Sequence, residues 1–353
     1  MSYREDTNKN LLRKINIIKE NLPQFAQEFL VSKENSKEKS TVLQYGYDIE
    51  KFLYFMIATG KSSAEDTSCV KLSEIKDIQS KDIDEYMSYL TEYKRNEKIF
   101  RNKDEAKHRK IASLSAMFHY LTMNDLIEKD PSTKIENPKI RKKDIITMDK
   151  EQIAELLEVI RSDEGFDGIA LQRHQKEKFR DEAIIMFLLG TGVRISELVG
   201  LNINDIDLRN RKARIIRKGG DEDTVYFGED VKKSLLRYLE GDKDTEGSRA
   251  SFEPEEAEKD ALFISRQHNR YAVRSIQTMV KKYTNMALGK DNRITPHKMR
   301  STFGTALYED TGDIELVSKT LGHKSILMAS ERYVKFPEEK KKAAANRSVL
   351  RED

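Results

Sequence analysis

Apolar residues in the first third of the chain recur every three or four positions, which is the spacing of amphipathic helices. The pattern predicts four helices: Pro23 to about Val31, Ser40 to Gly60, one that starts at Ser80, and about Lys103 to Thr122. Polar loops separate these helices, so we expect them to pack antiparallel as a small helical domain over residues 23–128. Residues 1–22 are mostly polar and are predicted to be an N-terminal extension.

The second half of the chain combines helical patterns with short strand-like runs, which predicts a mainly α domain with a small β-sheet over residues 147–336. Helices are expected at 148–161 and 180–190, from Arg194 onward, and at 273–286. Residues 162–179 and 241–260 are polar and are expected to be irregular.

The predicted sheet contains a hairpin. Strand-like runs at 212–217 and 224–227 flank Lys218-Gly-Gly, a turn signal, so Lys218 is expected at the hairpin tip. A third strand is expected at 261–265.

Three short helices are predicted at the end of this domain. Thr295 is a suitable N-cap and Pro296 a suitable first residue for one helix. The next is expected from Asp313 to Gly322, a residue type that commonly ends helices. Ser325 is expected to cap the last. Candidate polar side chains therefore lie at or near helix ends, where they can converge: His297, Arg300, His323 and Tyr333.

Composition limits the classes of protein that fit this pattern. The length of 353 residues favours two or three domains. One cysteine excludes an internal disulfide framework and fits a reducing compartment. The sequence contains no apolar run of membrane-spanning length and no signal-peptide pattern, so we expect a soluble, cytoplasmic protein without a membrane partner. The six histidines are scattered without metal-ligand spacing, so neither a metal nor another cofactor is expected.

The distribution of charge matters more than its total, because the formal net charge is only +3. The fourth helix opens with a basic run that could be a solvated face or a phosphate contact: Lys107, His108, Arg109 and Lys110. Pro138 blocks a regular helix in residues 129–146, which are expected to form an extended linker. Its basic residues suit a strap along a phosphate backbone, or merely a soluble connection: Arg141, Lys142 and Lys143.

Each candidate side chain also has an ordinary interpretation. An HxxR pair such as His297 and Arg300 is common by chance, and a lone tyrosine at helical spacing is usually a core residue. Arg194 lies at a tight turn between two apolar helices, where a charge needs a partner or a ligand. Glu197, three residues later, could be that internal partner.

The combination resembles the tyrosine recombinase (phage integrase) family. The motifs that carry the resemblance are GTGVRISEL, RKGG, TPHKMR, LGH and the later tyrosine. They cover the whole second domain, and the helical first domain resembles the family more loosely. Within the family, the sequence most resembles the single-protein Xer recombinases of streptococci and lactococci. Two departures stand out, because Ser301 occupies a position where relatives often have His or Arg, and His323 and Tyr333 are ten residues apart rather than the usual nine.

The resemblance implies a two-domain DNA clamp, with an N-terminal core-binding domain and a C-terminal catalytic domain. It also implies transesterification at a DNA phosphodiester through a 3′-phosphotyrosyl intermediate. Tyr333 would be the nucleophile and Lys218 the general acid, and the family's remaining roles fall on Arg194, His297, Arg300 and His323. Two arginines can bind the phosphate oxygens bidentately, and the histidines can donate hydrogen bonds or move a proton.

The implied partners are duplex DNA with specific recombination sites and three further copies of the chain, in a tetramer on two sites. The tail at 337–353 could then dock on a neighbouring protomer. Chromosome dimer resolution and mobile-element integration or excision remain alternative cellular roles, and the residues do not reveal an accessory protein. A type IB topoisomerase and a DNA-binding regulator without catalysis are the competing functions.

Overall fold

The computed structural model describes residues 3–95, 97–135, 145–241, 245–323 and 325–333. The chain divides into two compact units, residues 1–143 and 144–353. Within the described ranges, no helix combines the length and apolarity that crossing a membrane requires. The predicted linker residues Arg141, Lys142 and Lys143 and the predicted tail at 337–353 lie outside the described ranges.

The first unit is a helical domain around one hydrophobic core, and the four predicted helices are all present. Phe29, Phe52 and Phe118, from three of these helices, are fully buried in that core. The helices of this unit are α1 (Tyr3–Glu20), α2 (Gln24–Glu34), α3 (Lys39–Ala58), α4 (Leu72–Lys76), α5 (Ser80–Tyr89) and α6 (Asp104–Met123).

Two features of this unit add to the sequence prediction. Helix α1 lies in the segment predicted as an extension, yet it packs on α3 and buries Ile15 and Ile18 in the core. An antiparallel hairpin, β1 (Glu92–Arg95) and β2 (Lys98–Arg101), precedes α6. Its strands carry many charges and bury only Tyr93, so the sequence shows no alternation of apolar and polar residues there.

The second unit is also mainly helical, as predicted, and contains a small sheet. Its helices are α7 (Lys150–Arg161), α8 (Gly168–Thr191), α9 (Ile195–Val199), α10 (Glu229–Leu239), α11 (Val273–Leu288), α12 (Pro296–Thr311), α13 (Ile314–Leu321) and α14 (Ile326–Tyr333).

The sheet has the order β3 (Ile206–Asp207), β4 (Lys212–Ile216) and β5 (Glu222–Tyr226), with both pairings antiparallel. The predicted hairpin around Lys218 is confirmed as β4–β5. The prediction of a third strand at 261–265 is wrong, because that segment makes only the isolated bridges Asn202–Ala261 and Ile264–Arg270.

Helix α8 begins well before the predicted residue, and the prediction of irregular structure at 168–179 is wrong. The buried side chain that anchors this polar stretch is His174, whose ring stacks on Phe166 with the centroids 3.9 Å apart. The two ring nitrogens of His174 lie 3.1 Å from the Tyr283 hydroxyl and 2.8 Å from the Ser162 carbonyl oxygen. These tertiary contacts stabilise the polar first half of α8, whereas its second half is mostly apolar and buried.

The three helices at the end of the domain begin as predicted, and the second of them ends at Gly322 as predicted. The Thr295 side chain accepts a hydrogen bond from Lys298 N, and the Asp313 side chain accepts hydrogen bonds from the first turn of α13. Gly322 ends α13 in the left-handed conformation, with a φ of 60°. Helices α13 and α14 share a small core that includes Leu321 and Tyr333.

Candidate active site

Three arginine side chains donate hydrogen bonds to carbonyl groups at the end of α13. The carbonyl groups of residues 320–322 lie at the helix end, where they lack intrahelical partners and carry the negative end of the helix dipole. Arg217 donates to the first of these carbonyls at 2.8 Å and Arg194 to the third at 3.2 Å. Arg300 donates to the carbonyl between them. The end of α13 thus brings together guanidinium groups from three separate parts of the chain.

Arg300 is the most buried of the three, with 3% of its surface exposed. Its other terminal nitrogen donates to the carbonyl oxygen of Gly192 at 2.6 Å, so backbone groups hold the fork on two sides. Gly192 is in the left-handed conformation at the end of α8, with a φ of 63°. Burial and the nearby charge of Arg194 lower the pKa of Arg300 to about 10, so the guanidinium remains charged at neutral pH.

Arg194 pairs with Glu197, as the sequence allowed. Its side chain donates to one carboxylate oxygen of Glu197 at 2.6 Å, and its backbone N–H donates to the other at 2.8 Å. Arg194 is also the N-cap residue of α9. Glu197 is buried, whereas 32% of the Arg194 side chain remains exposed. The carboxylate therefore orients a guanidinium group that still has surface available for a ligand.

His297 lies in the first turn of α12, and its Nε2 is 2.6 Å from the guanidinium of Arg332. Because arginine can only donate, this nitrogen accepts the hydrogen bond and the ring is a neutral tautomer. Desolvation by neighbouring groups and the Arg332 charge lower the pKa of His297 to about 4, even though the residue is exposed. Ser301 also accepts a hydrogen bond from Arg332, at 3.3 Å.

His323 and Tyr333 stack with their rings almost parallel, 5.9 Å between centroids and 6° between planes. Burial and the charge of Arg300 lower the pKa of His323 to about 4. Its Nδ1 is buried and has no hydrogen-bond partner within the described ranges. A buried polar atom is costly unless a partner satisfies it, so this nitrogen is suited to a ligand that completes the site.

Tyr333 is the last residue of α14, and 3% of its surface is exposed. Its ring lies so close to α12 that a Cβ atom at Gly304 would be 2.7 Å from it. Burial raises the pKa of Tyr333, although the charges of Arg332, Arg300 and Arg194 act in the opposite direction. The phenol is therefore protonated at neutral pH, and any reaction as a nucleophile requires a proton acceptor.

Lys218 lies in the turn between β4 and β5 and is exposed. The two following glycines, Gly219 and Gly220, have φ values of 112° and 106°, a region that side chains with a Cβ rarely adopt. The sequence predicted this tip position. The Lys218 ammonium takes part in none of the contacts described above for the arginine, histidine and tyrosine side chains.

The basic residues at the start of α6 have different environments. Lys107 is half-buried, and its ammonium donates to the Thr91 hydroxyl at 2.7 Å. Arg109 pairs at 2.5 Å with the buried Asp48. Lys110 is buried, its ammonium donates to Asn102 at 2.7 Å, and burial together with the charge of Lys51 lowers its pKa to about 8.

Arg217 and Arg332 also contact the site described above, but they were not identified from the sequence. Each is adjacent in sequence to a predicted site residue, Lys218 and Tyr333 respectively, and that adjacency was the only available signal. The described ranges contain no group of three or more His, Cys, Asp or Glu side chains placed to hold a metal ion. The chemistry offered here is thus a phenol, two neutral imidazoles and a set of fixed positive charges, which suits an anionic ligand.

Comparison with known sequences gives a family match. The model of the phage integrase family matches residues 146–339. The tyrosine recombinase XerC of Caldanaerobacter subterraneus subsp. tengcongensis is 30% identical over 344 residues, which cover 94% of this chain and 88% of the relative. The tyrosine recombinase XerS of Streptococcus pneumoniae is also 30% identical, over 346 residues that cover 89% of this chain and 92% of the relative.

Solved structures show the same fold at lower identity. The Tn1549 transposon integrase, in complex with transposon right end DNA, has a TM-score of 0.63 and 20% identity, covering 93% of this chain and 99% of that one. The XerH site-specific recombinase, bound to its difH substrate, has a TM-score of 0.62 and 19% identity, covering 98% of this chain and 97% of that one.

Proposed function

Because the chain belongs to the phage integrase family of tyrosine recombinases, we propose that it cuts and rejoins duplex DNA through a 3′-phosphotyrosyl bond to Tyr333. The chain is a site-specific DNA recombinase, and the proposal assigns its chemistry to particular residues. One observation carries the assignment: the end of α13 brings Arg194 and Arg300 beside the stacked pair His323 and Tyr333.

In this proposal Arg194 and Arg300 bind the non-bridging oxygens of the scissile phosphate. A phosphodiester carries one negative charge, and its transition state concentrates charge on those oxygens. A guanidinium fork can bind two oxygens at once and stays charged at any relevant pH. Both forks are already oriented, by Glu197 in one case and by backbone carbonyls in the other. Such preorganisation stabilises the transition state without a further reorganisation cost.

Tyr333 supplies the nucleophile. Its Oη forms a bond to phosphorus while the bond between phosphorus and the 5′ oxygen breaks, so the phosphate remains esterified and a 5′-hydroxyl is released. The phenol proton passes to a neutral imidazole, and His323 meets that requirement because its pKa is about 4 and its ring stacks on Tyr333. The acceptor nitrogen of His297, in contrast, is already occupied by Arg332. Attack by a 5′-hydroxyl on the phosphotyrosine reverses these steps and rejoins the strand.

Lys218 supplies the proton for the departing 5′ oxygen. An alkoxide is a poor leaving group, and a lysine ammonium at the tip of a hairpin can move toward the oxygen and protonate it. The exposed position of Lys218 in the β4–β5 turn supports this role, since the ammonium is available to a bound DNA strand.

The partner in this reaction is a pair of recombination sites. Two duplexes present four strands to be cut, so the proposed assembly is a homotetramer on two sites. The solved recombinase structures with this fold include complexes with DNA recombination sites. The cellular role is either chromosome dimer resolution or movement of a mobile element, and the identity of the DNA site distinguishes them.

A suicide-substrate experiment tests the proposal. Nicked duplexes with candidate sites from the host chromosome and from the flanks of the gene are incubated with the protein in the presence of EDTA. We expect a protein–DNA adduct that survives denaturation, and the duplex that gives it identifies the cellular role. Binding without any adduct across the panel would favour a DNA-binding regulator instead.

A further inference from the structure

Arg217 occupies the junction between strand β4 and the turn that carries Lys218. Only 9% of its side chain is exposed, which is unusual for an arginine beside an exposed hairpin tip. Arg214, on the same strand, is the ordinary case, because 60% of its side chain is exposed. Burial of a charged group is costly unless partners compensate it, so the contacts of Arg217 require an explanation.

Its guanidinium group contacts three separate elements. It donates to Asp223 on β5 at 2.8 Å, to Glu197 of α9 at 3.2 Å, and to the Thr320 carbonyl at the end of α13 at 2.8 Å. The first contact joins the two strands of the hairpin. The other two attach the base of the hairpin to the elements that orient Arg194 and Arg300.

The backbone of Arg217 also closes the turn. Its N–H donates to the Asp221 carbonyl at 2.8 Å, and its carbonyl accepts a hydrogen bond from Gly220 N at 3.0 Å. Lys218 follows directly and begins the part of the turn that contains two glycines with positive φ. Arg217 is thus the fixed point from which the Lys218 side chain extends, and the turn with the two glycines lies beyond it.

We propose that Arg217 is a positioning residue that fixes the base of the β4–β5 hairpin on the end of α13, so that Lys218 reaches the 5′ oxygen of the bound strand. The proposal rests on the role given to Lys218 above. Arg217 touches neither the substrate nor the reacting atoms in this account. Arg217 affects the reaction only by determining where the Lys218 ammonium lies.

Changing the leaving group from oxygen to sulfur tests the positioning role of Arg217 most directly. The duplex trapped in the suicide-substrate experiment is synthesised in two forms, with an oxygen or a sulfur at the bridging 5′ position. When the bond between phosphorus and sulfur breaks, the thiolate departs without a proton, because a thiol is far more acidic than an alcohol. A defect that acts through Lys218 should therefore disappear with sulfur, whereas a defect in folding or in phosphate binding should remain.

With the oxygen substrate, we expect Lys218→Ala to slow cleavage by roughly 10²–10⁴-fold, the usual range for a general acid. Arg217→Ala should slow it by about 10-fold or more, and the double variant should be no slower than Lys218→Ala alone, because the two residues act as a unit. With the sulfur substrate, all three variants should approach the wild-type rate. Arg217→Lys, which keeps the charge but not the fork, should resemble Arg217→Ala.

The matched control is Arg214→Ala. This residue is on the same strand and pairs with Asp205 and Glu222, so its removal also deletes an arginine and its ion pairs from the hairpin. We expect little change in cleavage of either substrate. Slow cleavage of both substrates by Arg217→Ala and Arg217→Lys, with rescue of Lys218→Ala by sulfur, would overturn the proposal. So would wild-type rates in both Arg217 variants.

A second readout needs no DNA and so separates this proposal from the proposed function. Amide hydrogen exchange of the segment 216–222 should be faster in Arg217→Ala than in the wild type, and unchanged in Arg214→Ala. Unchanged exchange in Arg217→Ala would contradict the positioning role even if no duplex were ever cleaved. Failure of the wild type to cleave either substrate would count against the function instead.

Discussion

At the scale of single residues, the arginine side chains of the site show how fixed positive charge affects the pKa values of neighbouring histidines. Arg300 is held by carbonyl oxygens, which carry only partial charge. Arg194 shares the single carboxylate of Glu197 with Arg217, so the positive charge is not fully neutralised. Desolvation and, after it, the excess positive charge lower the pKa values of both nearby histidines. The site therefore holds neutral imidazoles at neutral pH in surroundings that attract a phosphate.

Replacement of Arg332 by alanine tests this electrostatic account. Arg332 is the nearest charge to His297 and contributes to the lowered pKa of that residue. We expect the pKa of His297 in Arg332→Ala to rise from about 4 while staying below 6.5, because desolvation, the larger cause, persists. The pKa of His323 should rise by a smaller amount, since Arg332 is a minor contributor there. An NMR titration of the histidine ring protons measures both.

The control for this titration is Lys319→Ala. Lys319 is a positive charge on α13 that pairs with Glu315 and is exposed, so its loss should leave both histidines unchanged. If the pKa of His297 stayed constant or fell in Arg332→Ala, Nε2 of His297 would not be in contact with Arg332.

Sequence reasoning identified residues by motif and missed those defined by contact. Arg194, Arg300 and His323 stand in motifs, and the structure brings them together. Arg217 stands next to a motif lysine, but nothing in its sequence position shows that the end of α13 would accept its hydrogen bond. That contact joins residues 103 positions apart and follows only from the tertiary fold.

At the scale of elements, helix ends organise the site. The end of α8 supplies the Gly192 carbonyl, the start of α12 carries His297, and the end of α13 binds three arginines. These ends were predictable because N-cap residues and glycine stops are local signals. The extension of α8 over residues 168–179 was not predictable, because the buried His174 that anchors it finds its partners in distant segments.

Two glycines provide a matched test of the role of the α8 end. Gly192 and Gly312 both end a helix in the left-handed conformation, with φ values of 63° and 67°. Alanine at Gly312 should cost roughly 1–2 kcal/mol of unfolding free energy, measured by urea denaturation, and alanine at Gly192 should cost more, because its Cβ would also overlap a neighbouring side chain. Only Gly192→Ala should also slow DNA cleavage, because an added Cβ there would overlap Phe303 and move the carbonyl that holds Arg300.

The surroundings of Gly312 are open, since no atom lies within 4 Å of an added Cβ. Gly312→Ala therefore reports the backbone cost alone. Equal cleavage rates in the two alanine variants would contradict the account, because the position of the Gly192 carbonyl would then not matter.

At the scale of the whole molecule, DNA binding depends on which basic residues are free to contact phosphates. The sequence predicted a linker at 129–146 between the two domains, and the division of the chain into two compact units falls between residues 143 and 144. The linker that it proposed as a strap carries Arg141, Lys142 and Lys143, which lie outside the described ranges. The start of α6 offers fewer free cations than its sequence indicated, because Arg109 and Lys110 have internal partners.

Replacement of all three linker residues by alanine tests the strap. Each phosphate contact that is lost should make the slope of log affinity against log salt concentration shallower by roughly 1, so a decrease of up to about 3 is expected. Affinity should fall for every DNA sequence alike, since phosphate contacts carry no sequence information. A matched control exchanges Arg141→Lys, Lys142→Arg and Lys143→Arg, which keeps the charge and should preserve the slope. An unaltered slope in the alanine variant would argue against the strap.

The central claim is that Tyr333 forms the covalent bond to DNA, and the adduct itself gives the most direct measurement. The denatured adduct is digested with nuclease and protease, and mass spectrometry locates the residue that carries the nucleotide. We expect a 3′-phosphotyrosyl nucleotide on Tyr333, no adduct in Tyr333→Phe, and a normal adduct in Tyr308→Phe, a control from the same small core. A nucleotide on any other residue, or an adduct that persists in Tyr333→Phe, would contradict the account.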